Sequence, residues 1–385
     1  MKPIEQGKTF KPPSRMRGVQ TTLIRQLFER ALPGSINFGL GEPDLMTPLF
    51  LRQEAARVAI EEKNGYTSHA GLLSLREKIA SSYPHLDLTA DHICVTVGSQ
   101  EAMTATFLAL IEEGDEVLLP NPSFPAYENC VKLAGGIPVF YRMPSELDFG
   151  FDIDEFKSKI TEKTKAAVII SPSNPTGRIL TEEDLKHIAQ ALNDTGIYLI
   201  ADEIYADLYF TSERPPSASR FYDKTIIVSG LSKSLSMTGW RIGWIASSQL
   251  DIVKTALVVH GFLTVCTSTI SQKAALLAWM PEAEKAKAEA REIYKRRGEY
   301  LINLLHEELG IRCTKAEGAF YTMADIREFG DDLQIAEKFL QNRVITVPGI
   351  AFGTEAKGFL RISFCNDYAE MEEGVRRMKQ VLKSL

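Results

Sequence analysis

Lys233 and Arg241 stand eight residues apart in VSGLSKSLSMTGWRIGW, residues 228–244, within a largely apolar setting. Two cations buried this close together are costly unless an anionic or covalent partner meets them. Four other apolar runs end in polar groups. VTV leads into Gly98-Ser99-Gln100, and VLLP into Asn121-Pro122-Ser123-Phe124. VII leads into Ser171-Pro172-Ser173-Asn174-Pro175, and YLIA into Asp202-Glu203-Ile204-Tyr205. Each group has an ordinary reading by itself. Gly98-Ser99 reads as a helix cap, Phe124 as core filler, Asn174 as a turn residue and Tyr205 as a buried phenol with a satisfied hydroxyl. Asp202 is harder to dismiss, because a carboxylate ending an apolar strand needs a cationic or hydrogen-bonding partner.

The elements that must position these groups alternate in type. Strand-like runs at 92–99, 116–120, 138–142, 166–177, 197–205 and 225–230 are separated by helical patterns. Such alternation predicts an α/β fold with a mostly parallel sheet covered on both faces. Ligands of open α/β sheets bind outside the carboxyl ends of the strands, which is where the polar groups fall. Thr181 and Asp184 fit a variant capping box for the helix that follows 177. From residue 281 a long, charged, amphipathic helix takes over, and GAFYTMADI, VITVPGI and FLRISF follow it. These predict a smaller α+β domain. The expected division is 1–45 as an N-terminal segment packing with the small domain, 46–285 as the large domain and 286–385 as the small one.

One ligand would satisfy the whole strand-end set: a planar heteroaromatic with a basic ring nitrogen, a phenolic oxygen, a phosphate and an aldehyde. Pyridoxal 5'-phosphate has these groups. Lys233 would join the aldehyde as an imine, and Asp202 would keep the ring nitrogen protonated. Tyr205 and Asn174 would hydrogen-bond the phenolic oxygen, and Phe124 would stack on the ring. Ser99, Ser232, Arg241 and the helix start after Gly98 would hold the phosphate.

The chain resembles the fold-type I, class I/II aminotransferases, a family of pyridoxal-phosphate-dependent transferases. The landmarks are GEPD (41–44), YTSHAGLLSLR (66–76), GSQEA (98–102), NPSFPAY (121–127), SPSNPTG (171–177), DEIY (202–205), SKSLSMTGWRIGW (232–244), VPGIAFG (347–353) and FLRISF (359–364). The resemblance implies a fold-type I large domain with a mostly parallel seven-stranded sheet, and an aminotransferase that moves an amino group from an L-amino acid to a 2-oxo acid by a ping-pong mechanism. It implies catalytic roles for Lys233, Asp202 and Tyr205. It places Ser99, Gln100, Ser232 and Arg241 around the phosphate, Phe124 against the ring, and Asn174 near both cofactor and substrate. Arg361 is implied to grip the substrate carboxylate, with the Gly41 backbone nearby. Taken alone, Arg361 reads as an edge-strand arginine. Tyr66 is similar to a tyrosine that reaches the partner subunit's phosphate, which implies a homodimer with shared active sites.

In two places the chain departs from many relatives. Gly230 stands where a phosphate-touching Ser or Thr is common, and Ile350 where Ser is common. Some aspartate-specific relatives carry a lysine where this chain has Gln100, so the pattern does not single out aspartate. His69 reads as a loop histidine or as a substrate contact. Other reactions share the same grip: carbon–sulfur β-lyase, oxidase-like and cyclase chemistry. A DNA-binding regulator on this scaffold would need a basic helix-turn-helix module, and the residues before GEPD are not arranged as one.

Composition narrows the setting. The chain has 385 residues with 44 Lys and Arg against 50 Asp and Glu, and it contains no basic block suited to nucleic acid. No apolar run approaches a membrane span, and the N-terminus lacks the apolar stretch of a secretory signal. Five scattered cysteines without a CxxC pair indicate free thiols rather than disulfides or a metal site, and a cytoplasmic setting.

Overall fold

The computed structural model describes residues 18–384 together with Lys11, Pro13 and Met16. The first ten residues of the expected N-terminal segment lie outside the described residues. The strands run in chain order: β1 (Ile36–Asn37), β2 (Ile93–Val97), β3 (Glu116–Asn121), β4 (Ile137–Arg142), β5 (Thr164–Ile170), β6 (Tyr198–Asp202), β7 (Thr225–Gly230), β8 (Ile242–Ala246), β9 (Tyr321–Asp325), β10 (Val344–Ile345), β11 (Val347–Pro348) and β12 (Phe359–Ser363). A seven-stranded sheet has the order β2-β8-β7-β6-β5-β3-β4. Its pairs are parallel except those made by β8, which is antiparallel to both neighbours. The expected mostly parallel α/β sheet is therefore present.

The apolar composition explains its burial. All six residues of β7 are buried, and so are all but Lys165 in β5. Parallel strands covered by helices on both faces read as continuous apolar runs rather than alternating ones. The strand-like runs in the sequence account for six of the seven strands. The seventh, β8, is the segment IGWIA, whose position directly after Arg241 hides it within a functional motif. Thr181 and Asp184 do form the expected capping box, with Asp184 N donating to Thr181 Oγ1 at 3.1 Å.

A second sheet has the order β11-β12-β9 and is antiparallel throughout. The helix Pro281–Leu309 begins with proline in its first turn and ends at Gly310 in the left-handed conformation, the usual asymmetry of helix ends. Ala283 at one end packs with Leu75 and Trp244, while Gly298 further along lies against the Phe364 ring. β1 pairs with β10, and Leu27 packs on Leu340 and Ile345.

Candidate active site

The carboxyl ends of the parallel strands bring the polar groups together, and Lys233 lies just beyond β7. Its Nζ donates to the Gly41 carbonyl at 2.6 Å and lies 6.0 Å from the Tyr205 ring centroid and 5.8 Å from that of Phe320. Aromatic walls solvate a cation poorly compared with water, and burial pushes this amine down to about 8. The neighbouring Arg361 and Arg241 charges push the same way.

Asp202 ends β6 and is 6% exposed. Burial pushes its carboxyl up to about 6, against the opposing pull of two hydrogen bonds. Tyr127 donates its hydroxyl to Oδ2 at 2.6 Å, and Ile204 N–H donates to Oδ1 at 3.1 Å. A carboxylate held in this way suits a cationic partner such as a protonated ring nitrogen.

Tyr127 belongs to NPSFPAY, yet nothing in its type or spacing assigns it to Asp202. The Tyr127→Phe variant is expected to raise the Asp202 titration midpoint in the cofactor-free protein by about one pH unit, because a hydrogen bond to a charged group is worth about 1.5 kcal/mol or more. The sign follows from the phenol stabilising the ionised form. The protonated-carboxyl stretch in infrared difference spectra reads the midpoint, and an unmoved midpoint would show that Tyr127 does not hold the carboxylate.

Arg361 occupies β12, the central strand of the small sheet, not an edge, and it is 2% exposed. The edge-strand reading of this residue is thereby removed. Nη1 donates to Asn174 Oδ1 at 2.8 Å, and Nη2 donates to the Gly39 carbonyl. The guanidinium lies between the rings of Tyr321 and Phe352, 4.4 and 4.7 Å from their centroids. Its Nε is buried and has no partner among the described residues. Tyr321 also shares a 2.9 Å hydrogen bond with Tyr205, so one phenol pair connects the lysine pocket to the guanidinium. Gly41 is packed so closely that a Cβ there would overlap the Tyr321 hydroxyl.

The other end of the site is a cradle. The helix Gly98–Leu110 opens directly from β2, with Gly98 at φ +78, which is easy for glycine and strained for other residues. Arg241, itself at φ +57, lays its guanidinium over Gly98, where any Cβ would collide with it. Its Nη1 donates to Thr238 O at 2.8 Å and its Nη2 to Val97 O at 3.2 Å. Ser99 is half-buried in the first turn of that helix. Ser232 Oγ is buried with no hydrogen-bond partner among the described residues, a costly state that an oxyanion would relieve. At Gly230 a Cβ would stand 2.6 Å from the Ile242 carbonyl. Close approach of β8 thus explains glycine where the resemblance leads one to expect a hydroxyl.

The remaining sequence candidates fall differently. Phe124 is half-buried and stands edge-on to Tyr127, with centroids 5.7 Å apart. Gln100 is exposed, with its amide nitrogen 3.4 Å from Cys130 Sγ. Tyr66 is 87% exposed. His69 is exposed and lies beside Gly261, and Ile350 is half-buried, its N–H donating to Asp332 Oδ2 at 2.8 Å. Among the described residues no cluster of three His, Cys, Asp or Glu could hold a metal, and no helix is long and apolar enough to cross a membrane. An orphaned serine hydroxyl, an orphaned guanidinium nitrogen, a glycine cradle and a buried carboxylate together suit the phosphate, ring nitrogen and carboxylate of the anticipated cofactor and substrate.

Comparisons with known proteins point the same way. A model of the family described as "Aminotransferase class I and II" matches residues 33–378. A probable aspartate aminotransferase of Methanocaldococcus jannaschii is 33% identical, covering 96% of this chain and 99% of that protein. The aromatic-amino-acid aminotransferase 2 of Thermococcus litoralis is 33% identical, over 96% and 97% of the two chains. The structure of Thermus thermophilus aspartate aminotransferase with maleate superposes with a TM-score of 0.92 at 31% identity, covering 97% of this chain and 100% of that one.

Proposed function

The chain belongs to the class I and II aminotransferase family, and from that premise we propose how its own residues divide the reaction. The protein is an aminotransferase dependent on pyridoxal 5'-phosphate, with the fold of that enzyme class. When bound, the cofactor supplies an electron sink for the bonds at the substrate Cα. Lys233 Nζ anchors the cofactor and, once free, takes the proton from the substrate Cα and returns it on the way to product. A neutral amine is required for that step, and the burial of Lys233 favours one. Asp202 holds the ring nitrogen in its protonated form, with Tyr127 orienting the carboxylate.

Tyr205 and Asn174 would serve the phenolic oxygen, Phe124 the ring, and Ser99, Gln100, Ser232 and Arg241 the phosphate. Arg361 offers the substrate carboxylate a planar pair of donors, with the Gly41 backbone beside it. The observation that carries this reading is the Tyr205–Tyr321 hydrogen bond. It joins the wall of the lysine pocket to the wall of the buried guanidinium, so the amine and the guanidinium line one continuous site.

Tyr66 acts in the partner's site of a homodimer. Its exposure and that of Phe262, at 87% and 91%, support a covering subunit. The division at residues 45 and 285 and a cytoplasmic setting complete the proposal. Mixing the loaded enzyme with a donor amino acid and no acceptor is expected to release one equivalent of 2-oxo acid per subunit and then stop. Ammonia released at each turnover would favour lyase chemistry, and peroxide oxidase chemistry. Sedimentation at micromolar concentration is expected to give a dimer, and a monomer would remove the shared-site role of Tyr66.

A further inference from the structure

We propose that Glu101 and His260 form a brace that fixes the phosphate end of the site by holding the backbone of Val97. Val97 is the last residue of β2 and precedes the first turn of the helix that opens at Gly98. Both of its backbone polar groups are met by side chains. Its N–H donates to Glu101 Oε2 at 3.0 Å, and its carbonyl accepts from Arg241 Nη2 at 3.2 Å. Glu101 is in turn held from a different helix. His260, on Leu250–Thr264, places Nδ1 3.1 Å from both carboxylate oxygens and is fully buried. The helices that carry Glu101 and His260 therefore pack through a carboxylate–imidazole contact directly behind the turn.

The opposite side of the turn has no slack. A Cβ at Gly243 of β8 would stand 2.5 Å from Ser99 N. Position 97 is thus held by a side chain at each backbone group, while Gly98 and Ser99 are pressed against β8. The first N–H groups of the helix are the ones that bind an anion, and their aim depends on this turn. Glu101 and His260 are positioning residues: they act through Val97. A carboxylate in the first turn of an anion-binding helix gains from the helix dipole but adds negative charge near the phosphate. Its presence there is understandable if its task is to hold the N–H of Val97.

This inference rests on the proposed placement of the phosphate at Gly98, Ser99 and Arg241, and the test separates the two. Equilibrium binding to the cofactor-free protein is measured for pyridoxal 5'-phosphate and for pyridoxal, which lacks the phosphate. Glu101→Ala is expected to weaken the phosphorylated ligand about 10-fold, the scale of one lost hydrogen bond to a charged group, and to leave pyridoxal unchanged. Glu101→Gln keeps an acceptor for Val97 N–H and is expected to recover most of the loss. His260→Phe, which removes the second holder without touching Val97, is expected to show a smaller loss of the same phosphate-specific kind.

Equal losses for both ligands, or no loss for either, would overturn the brace. So would failure of Glu101→Gln to recover affinity while it remains folded. Arg241→Ala is the control for the underlying placement. If it shows no phosphate-specific loss, the phosphate has been placed at the wrong end. If it shows one and the Glu101 and His260 variants do not, only the brace is wrong.

Discussion

Lys233→Ala is expected to lower transamination by about 10⁴-fold or more, since it removes both the covalent anchor and the group that moves the Cα proton. The protein should still fold and retain measurable pyridoxal-phosphate binding through the cradle. Among the described residues Lys233 Nζ makes one hydrogen bond, to Gly41 O, and it sits in a place where burial disfavours the charged amine. Removing an amine from such a place relieves desolvation as well as losing a contact. A second measurement follows from the same geometry. Burial lowers this amine to about 8, so the cofactor-free wild type should capture pyridoxal 5'-phosphate faster as pH rises through about 8. The sign is fixed because only the neutral amine attacks an aldehyde. A variant that turns over normally, or a capture rate flat across the pH range around that value, would take Lys233 out of the chemistry.

Arg361→Lys should raise KM for every amino acid and 2-oxo acid, with kcat/KM falling by about 10²-fold. Truncating one member of a buried, hydrogen-bonded charge pair costs roughly 2–5 kcal/mol, and tenfold corresponds to about 1.4 kcal/mol. Lysine keeps the charge but loses the fork. The guanidinium is oriented by Asn174 Oδ1 and the Gly39 carbonyl and is flanked by the Tyr321 and Phe352 rings. An ammonium on a flexible stem cannot reproduce that planar set of donors. Steady-state kinetics with several donors, checked against a thermal melt, decides the matter. A loss confined to one substrate would make Arg361 a side-chain specificity residue, and an unchanged KM would make it structural.

Part of the site is legible in the amino-acid sequence, for a physical reason. In a parallel sheet, the residue that ends each apolar run arrives at the same edge as its neighbours. Asp202 after YLIA and Gly98-Ser99 after VTV can therefore be placed together from chain order alone. The same logic yields six of the seven strands. It misses β8 because antiparallel insertion leaves no separate strand–helix signature. Glycine at position 230 is an anomaly in the sequence, and its explanation lies in the fold: the Ile242 carbonyl is 2.6 Å from where a Cβ would stand.

The sequence by itself determined which chemistry is available: a lysine, a carboxylate, a phenol, an arginine and a phosphate-binding helix start, in an order shared with one family. Only the tertiary structure decided their partners. Tyr127 reaches Asp202 across 75 positions, Arg361 reaches Asn174 across 187, and His260 reaches Glu101 across 159. Nothing local encodes such pairs, because strand order and helix packing choose which side chains meet. Those same contacts fix whether Arg361 is a surface arginine or a buried fork. They also decide whether the Lys233 amine rests as a cation or as a base, since burial among Tyr205 and Phe320 is a property of the fold and not of the residue.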